Sequence, residues 1–382
     1  MQSLHELFLS TYSEAPEVVT SAPGRIEIIG NHTDYNGGTV VGACIEKRLH
    51  VGIRLRKDDQ IRLISSSEGD LVQTQLDVYE SAQLPQWSQY PIGVYDEFRI
   101  QFGISSGFDF AVTSEIPIGE GLSSSAAIEL ATALALNELL GLGLPMAALV
   151  GLSHRAENRF VGVPCGLLDQ STVGFGRANE LVVLDASTSR HHNFTMPSGF
   201  GFYVFRTHIR HELQHSPYEK RHQECRQALV ALNNVIPGIR HLAHLHPVDI
   251  QAYDIIMDEV VARRAQHVVE EQRRVGLFLK YLHQKEMQLA GELLAASHKS
   301  SKELFENSSP ELDFWTDLLN KTPHVLGARL TGGGWGGAVI ALCDNSFSSE
   351  NADSLANVYD EMFDARPGWW STRIGVGAKV EG

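Results

Sequence analysis

Apolar positions in the first half of the chain fall into short runs separated by glycine-rich and polar stretches. Val51–Arg56 and Ile61–Ser65 have the β-branched, alternating character of strands. Phe108–Ile116 predicts another strand, stopped by Pro117 and Gly119. The pattern then changes. Ser124 to about Leu140 is dense in Ala and Leu, as in a buried helix, and Gly141 stands where a helix C′ residue belongs. A second helix is expected from Pro145, a good first-turn residue, to about Phe160, ahead of Gly162. Leu181–Leu184 and Gly201–Phe205 return to strand. From residue 217 to about 320 helical patterning dominates, with breaks near Pro237 and Pro247. Val339–Leu342 and Ile374–Val380 read as strands again.

At 382 residues the chain exceeds one ordinary core, since domains hold roughly 100–200 residues. Two domains are expected, 1–190 and 191–382, with the boundary in the polar stretch Ser187–Asn193. Hydrophobic residues make up 43% and charged residues 20%, which excludes wholesale disorder. The formal net charge of −15 argues against nucleic acid or an anionic membrane as partner, because both would repel the chain. A few arginines and backbone amides can still bind an anion locally. The cysteines, Cys44, Cys165, Cys225 and Cys343, form no CxxC motif and fit a reducing compartment. Met1–Glu6 lacks a basic, apolar leader, and no run of about 18 apolar residues occurs, so the expected location is cytoplasmic, with no membrane partner. A monomer or weak homo-oligomer is expected.

Three glycine-bearing motifs carry candidate chemistry. In the central one, residues 117–127 (PIGEGLSSSAA), Gly119 and Gly121 permit close backbone approach, and the serines stand at a predicted helix start. Free amides there attract anions, and the hydroxyls can cap the helix, bind phosphate oxygens or ligate Mg²⁺. The bland alternative is a capped turn. No Gly-Lys pair exists for a Walker A loop, the spacing is wrong for a Rossmann fingerprint, and protein-kinase signatures are absent. In the first motif, residues 24–38 (GRIEIIGNHTDYNGG), Asn31, His32, Asp34 and Tyr35 offer the donors and acceptors a polyol needs. The third, residues 327–337 (GARLTGGGWGG), packs five glycines into six positions, as where backbone lies against a ligand or another loop.

In this order the motifs resemble the GHMP small-molecule kinase superfamily and, within it, the galactokinase family. The first is similar to the signature GRVNLIGEHTDYNxG, the second to PxGxGLSSSA, the third to GARxTGGGxGG. Cys165-Gly166-Leu167-Leu168-Asp169-Gln170 is similar to CGxxDQ. The matches span residues 23 to 337. The resemblance implies an α+β, two-domain GHMP kinase fold, with a ribosomal-protein-S5-like N-terminal domain, a ferredoxin-like C-terminal domain and the active site in the inter-domain cleft. It implies ATP with Mg²⁺ as cofactors, a small sugar as the other partner, and galactose 1-phosphate as product.

It also implies roles. Asp169 is the catalytic carboxylate, which takes or merely orients the proton of the attacked hydroxyl. Arg25 would counter charge on the carboxylate and on the transferring phosphoryl. Gly119, Gly121, Leu122, Ser123, Ser124, Ser125 and Ala126 would bind ATP. Glu157, twelve positions before Asp169, would ligate Mg²⁺ with Ser124, or with Ser123 in its place. Arg25, Asn31, His32, Asp34, Gly166, Asp169 and Tyr218 would bind the sugar. Without the resemblance, each reads as a cap, a surface charge or a core side chain. The chain departs from the signature at Asn31, where the family has a glutamate that helps hold the sugar's C6 hydroxyl, and at Gly42, usually proline. An uncharged Asn31 weakens one reason to reject galacturonate, so a kinase for that sugar is one alternative to a galactose kinase; a catalytically silent galactose sensor, a role of some galactokinase-like proteins, is another. A third rival comes from His211-Glu212-Leu213-Gln214-His215, which fits the HExxH zinc-peptidase pattern. Pro217 follows too closely for a helix interior, and His222 matches no zincin spacing.

Overall fold

The structure, a computed structural model, describes residues 3–381 apart from 118, 208, 210–216 and 254–255. The HExxH segment lies outside the described residues.

The first sheet begins with β1 (Val18–Ile29), buried over all but its first two residues. Its Gly24 and the bulges between Pro23 and Arg25 and between Glu27 and Ile29 hide it from a period-two reading. β1 pairs antiparallel with the long β2 (Thr39–Leu55), only the end of which matches the strand expected at Val51–Arg56. β3 (Gln60–Ser65), β4 (Val72–Gln75) and β5 (Phe108–Ser114) extend the sheet, with β3 and β5 parallel. β6 (Glu180–Asp185) pairs with the start of β2, and β7 (Arg190–Thr195) pairs with β6. A second, antiparallel sheet starts at β8 (Phe200–Arg206) and continues with β9 (Val325–Thr331), β10 (Ala338–Asp344) and β11 (Trp369–Thr372), in the order β11-β8-β10-β9. Sheet membership therefore changes between Thr195 and Phe200. β12 (Lys379–Val380) closes the first sheet against β1. The strand expected at Ile374–Val380 thus shrinks to two residues. Gly375 and Gly377 lie so close to other backbone that a Cβ would fall 2.8 Å from the Ile45 carbonyl and 2.7 Å from that of Val173.

Helices Gln86–Phe102, Ser124–Leu139, Met146–Ala156 and Leu168–Phe175 pack together beside the first sheet. The expected helix from Pro145 to Phe160 is present, but its last turn, Glu157–Val161, is a π-turn that ends at Gly162. In β2, Gly42 faces Glu27, and a Cβ there would meet Thr172 Oγ1 at 2.4 Å, so glycine lets helix Leu168–Phe175 sit down on the strand. The expected helical stretch resolves into Pro217–Asn233, Pro247–Tyr253, Glu259–Gln284, Met287–Ser300 and Pro310–Leu319. The breaks expected near Pro237 and Pro247 fall in the stretch between Asn233 and Pro247, and Pro247 opens the next helix. Trp315, Phe205 and Tyr359 fill the core of the second sheet, Tyr359 coming from helix Ser349–Phe363. Among the described residues no helix is long and apolar enough to cross a membrane.

Candidate active site

All three glycine motifs and the Cys165–Gln170 segment meet in one cavity of about 480 Å³, lined from both sheets' sides by Arg25, Asn31, Asp34, Gly121, Glu157, Asp169, Tyr218 and Gly333 among others. The loop from Gly119 to Ser123 makes its turn with positive φ at Gly119 (75°), Gly121 (70°) and Ser123 (52°). Ser123 occupies the N-cap of helix Ser124–Leu139, yet its side chain makes no capping bond. Its hydroxyl donates instead to Asp169 Oδ2. The first-turn amides of the helix therefore lack the usual side-chain acceptor, and they line the cavity with the positive end of the helix dipole.

Arg25 crosses from β1 to Asp169 on helix Leu168–Phe175. Nε donates to Oδ1 and Nη2 to Oδ2, each at 2.7 Å, while Nη1 donates to the Gly121 carbonyl at 2.5 Å. This two-pronged contact fixes the carboxylate plane and ties it to the glycine loop. Asp169 keeps 23% of its side chain exposed, so it remains reachable from the cavity.

Glu157 opens the π-turn, is buried and lines the cavity. Oε2 accepts from Gln170 Nε2 at 2.6 Å and from Cys165 Sγ at 3.1 Å. The loop hydroxyl that bonds it is that of Ser125. Burial, with the Asp169 carboxylate nearby, pushes its pKa up to about 7. Ser124 also lines the cavity.

The predicted sugar-side residues converge too, but their hydrogen-bonding capacity differs. His32, at φ 60°, bonds the Gly333 carbonyl through Nε2 at 3.0 Å and Tyr35 Oη through Nδ1 at 2.9 Å. A carbonyl only accepts, so Nε2 carries the hydrogen and Nδ1 accepts from the phenol. Burial lowers its pKa to about 3, so the ring is neutral. Tyr218 lies 5.1 Å from the His32 ring, centroid to centroid. Asp34 accepts from the amides of Tyr35 and Leu168, and burial, reinforced by Glu27 and Asp169, raises its pKa to about 7. Gly166 makes room for it: a Cβ there would fall 1.7 Å from Asp34 Oδ2.

Asn31 is 1% exposed, and every position of its amide is taken. Nδ2 donates to Glu27 Oε1 at 3.0 Å and to the Gly332 carbonyl at 2.9 Å. Oδ1 accepts from Ser301 Oγ at 3.1 Å and Asn307 Nδ2 at 2.8 Å. Glu27, a cavity-lining carboxylate, was missed from sequence, although the signature's asparagine at that position was a signal. Missed as well was an apolar wall formed by Leu49, Pro85, Trp87, Tyr90 and Val112. Those residues come from β2, β5 and the start of helix Gln86–Phe102, far from any motif.

The chain matches the GHMP kinases N terminal domain over residues 89–177, the GHMP kinases C terminal domain over 278–365, and the galactokinase galactose-binding signature over 6–55. It is 37% identical to a galactokinase of Staphylococcus saprophyticus, with all of both chains covered. It is 36% identical to one of Thermotoga neapolitana, covering 90% of this chain and 94% of that one. The crystal structure of Lactococcus lactis galactokinase complexed with galactose superposes with a TM-score of 0.93 at 32% identity, covering 98% of each chain. A mevalonate kinase at 18% identity and a TM-score of 0.66 shares the fold.

Proposed function

The chain belongs to the galactokinase family of the GHMP kinases, and on that footing we propose that it transfers the γ-phosphoryl group of ATP to the anomeric hydroxyl of galactose. The observation that carries this reading is Asp169, held by both prongs of Arg25 beside the uncapped amide end of helix Ser124–Leu139. That arrangement puts a proton acceptor for an attacking hydroxyl next to a cradle for phosphate. Phosphoryl transfer needs little more from a protein than positioning and charge stabilisation. The loop amides, with Ser123 to Ser125, hold the phosphates. Asp169 orients the sugar hydroxyl and receives its proton, and Arg25 faces the charge that builds on the transferring group. The wall around Trp87 and Tyr90 suits the nucleotide base, since aromatic faces stack on planar rings.

The donor set near the loop fits Mg²⁺. Among the described residues no three His, Cys, Asp or Glu side chains group into a metal cage. Glu157, bonded by the Ser125 hydroxyl, and Asp169, bonded by that of Ser123, are carboxylates beside the loop, which suits an ion that takes one or two protein oxygens and the rest from phosphates and water. Glu157, with Ser124 or Ser125, would hold it, and the ion would neutralise charge on the β- and γ-phosphates. The four free cysteines fit a reducing compartment such as the cytoplasm.

Galactose is favoured over galacturonate because Glu27 lines the cavity with an oxygen that accepts from no donor among the described residues, which suits a hydroxyl donor better than a sugar carboxylate. A panel of galactose, galacturonate and N-acetylgalactosamine, with ATP consumption as readout, tests the proposal. Turnover is expected with galactose. Galactose binding without turnover would favour the sensor, and preference for galacturonate would overturn the substrate.

A further inference from the structure

Glu27 and Asn31 stand where the family signature has asparagine and glutamate: the two side chains are exchanged. They also touch, Asn31 Nδ2 donating to Glu27 Oε1 at 3.0 Å. The pair therefore keeps one carboxylate and one carboxamide, with the charge moved from residue 31 to residue 27. The consequences for a ligand are unequal. The Asn31 amide is saturated by Glu27, Gly332, Ser301 and Asn307 and has no position left for a sugar hydroxyl. Glu27 Oε1 accepts from Asn31 and from Arg329 Nη1, the latter at 3.0 Å, whereas Oε2 has no donor among the described residues. The Glu27 backbone is fixed by Thr331, whose hydroxyl accepts from the Glu27 amide at 2.8 Å, so the side chain leaves a rigid root. Glu27 lines the cavity together with Asp34 and Asp169.

We propose that Glu27 is a specificity-determining residue of this enzyme, its free carboxylate oxygen accepting a hydrogen bond from one sugar hydroxyl in place of a side chain at position 31. The inference rests on the reading of the enzyme as a galactose kinase and adds the residue that reads one hydroxyl. A carboxylate suits this task, because a site built around a charged acceptor discriminates strongly against an analogue lacking the donor.

The experiment measures kcat/KM for galactose and for monodeoxy galactoses, each lacking one non-anomeric hydroxyl, on the wild type, Glu27→Gln, Glu27→Asp and the double exchange Glu27→Asn/Asn31→Glu. Glu27→Gln is expected to lower kcat/KM for galactose about 10–100-fold, the range of a lost hydrogen bond to a charged group. One monodeoxy sugar should be nearly indifferent to the substitution, because it lacks the hydroxyl concerned. Glu27→Asp keeps the charge opposite Arg329 but withdraws it by one methylene, and it should show the same selective loss. It carries the test if the glutamine variant does not fold. The double exchange should recover most of the lost activity on galactose. An equal loss on every sugar would assign Glu27 to holding Arg329 and overturn the inference, as would no loss, or a double exchange no better than Glu27→Gln. Failure of the wild type to consume ATP with galactose would instead bring down the functional reading.

Discussion

Asn31→Glu, which by sequence alone restores the family residue, is expected to destabilise the protein rather than improve it. The new side chain loses the two donations of the amide, to Glu27 Oε1 and to the Gly332 carbonyl. Losing the neutral acceptor's bond costs about 1–3 kcal/mol in a buried setting. The larger effect is charge. Residues 27 and 31 are 5% and 1% exposed, so water screens them poorly. Two carboxylates about 4 Å apart repel by about 4 kcal/mol at an effective dielectric constant of about 20. Arg329 brings one positive charge, already opposite Glu27, and cannot neutralise both. The pair escapes by holding a proton, as coupled carboxylates do. Relative to an unfolded glutamate with a pKa of about 4.3, holding that proton costs about 1 kcal/mol at pH 5 and about 5 kcal/mol at pH 8. The sign follows: the folded variant binds more protons than its unfolded chain, so its stability falls as pH rises. The charge part of the deficit is nearly absent below about pH 4, grows with pH, and levels off near about 4 kcal/mol where repulsion becomes the cheaper outcome, all on top of the lost bond, whose cost does not depend on pH. Urea unfolding of variant and wild type at pH 5 and pH 8 measures it. A variant as stable as wild type at pH 8, or a deficit independent of pH, would refute the contact between residues 27 and 31.

Asp169→Ala should lower kcat by about 10²–10⁴-fold in a protein that still folds, with a lowered unfolding midpoint because Arg25 loses its buried partner; more than about a tenth of wild-type activity would remove it from the chemistry. Gly166→Ala should raise the KM for galactose, because a Cβ 1.7 Å from Asp34 Oδ2 must displace that carboxylate; an unchanged KM would mean Asp34 does not meet the sugar. Glu157→Gln should raise the Mg²⁺ concentration needed for half-maximal rate and for Mg²⁺-dependent binding of ATP, since the amide lacks the charge a hard cation prefers; an unshifted titration would take Glu157 out of the metal site.

The parts of the fold legible in sequence were those whose signal is local. Helix Ser124–Leu139 announces itself by composition and β5 by a bounded apolar run. β1 did not, because its glycine and two bulges break the alternation just where Arg25 and Glu27 must be aimed into the cavity. Helix Gln86–Phe102 was hidden by Pro91 in its middle, and β11 by the glycines and proline that precede and follow it. The apolar wall around Trp87 carries no motif, because an apolar surface needs only shape and area rather than a fixed pattern of residues.

The site itself shows why a motif identifies neighbours more surely than roles. Thr331, Gly332 and Gly333 of the third motif bond in turn to Glu27, Asn31 and His32 of the first. These contacts join positions about 300 residues apart, and they consume the polar capacity of side chains that, read singly, look free to meet a ligand. Hydrogen-bond saturation separates the two classes. The ring of His32 and the amide of Asn31 have both faces committed, so they act as the frame. Glu27 has an oxygen to spare, and Asp169 remains partly exposed behind its Arg25 clamp. A sequence comparison made one position at a time marks residue 31 as the anomaly. The contact between residues 27 and 31 turns that anomaly into a compensated pair, in which the carboxylate has moved from residue 31 to Glu27 in β1 without leaving the site.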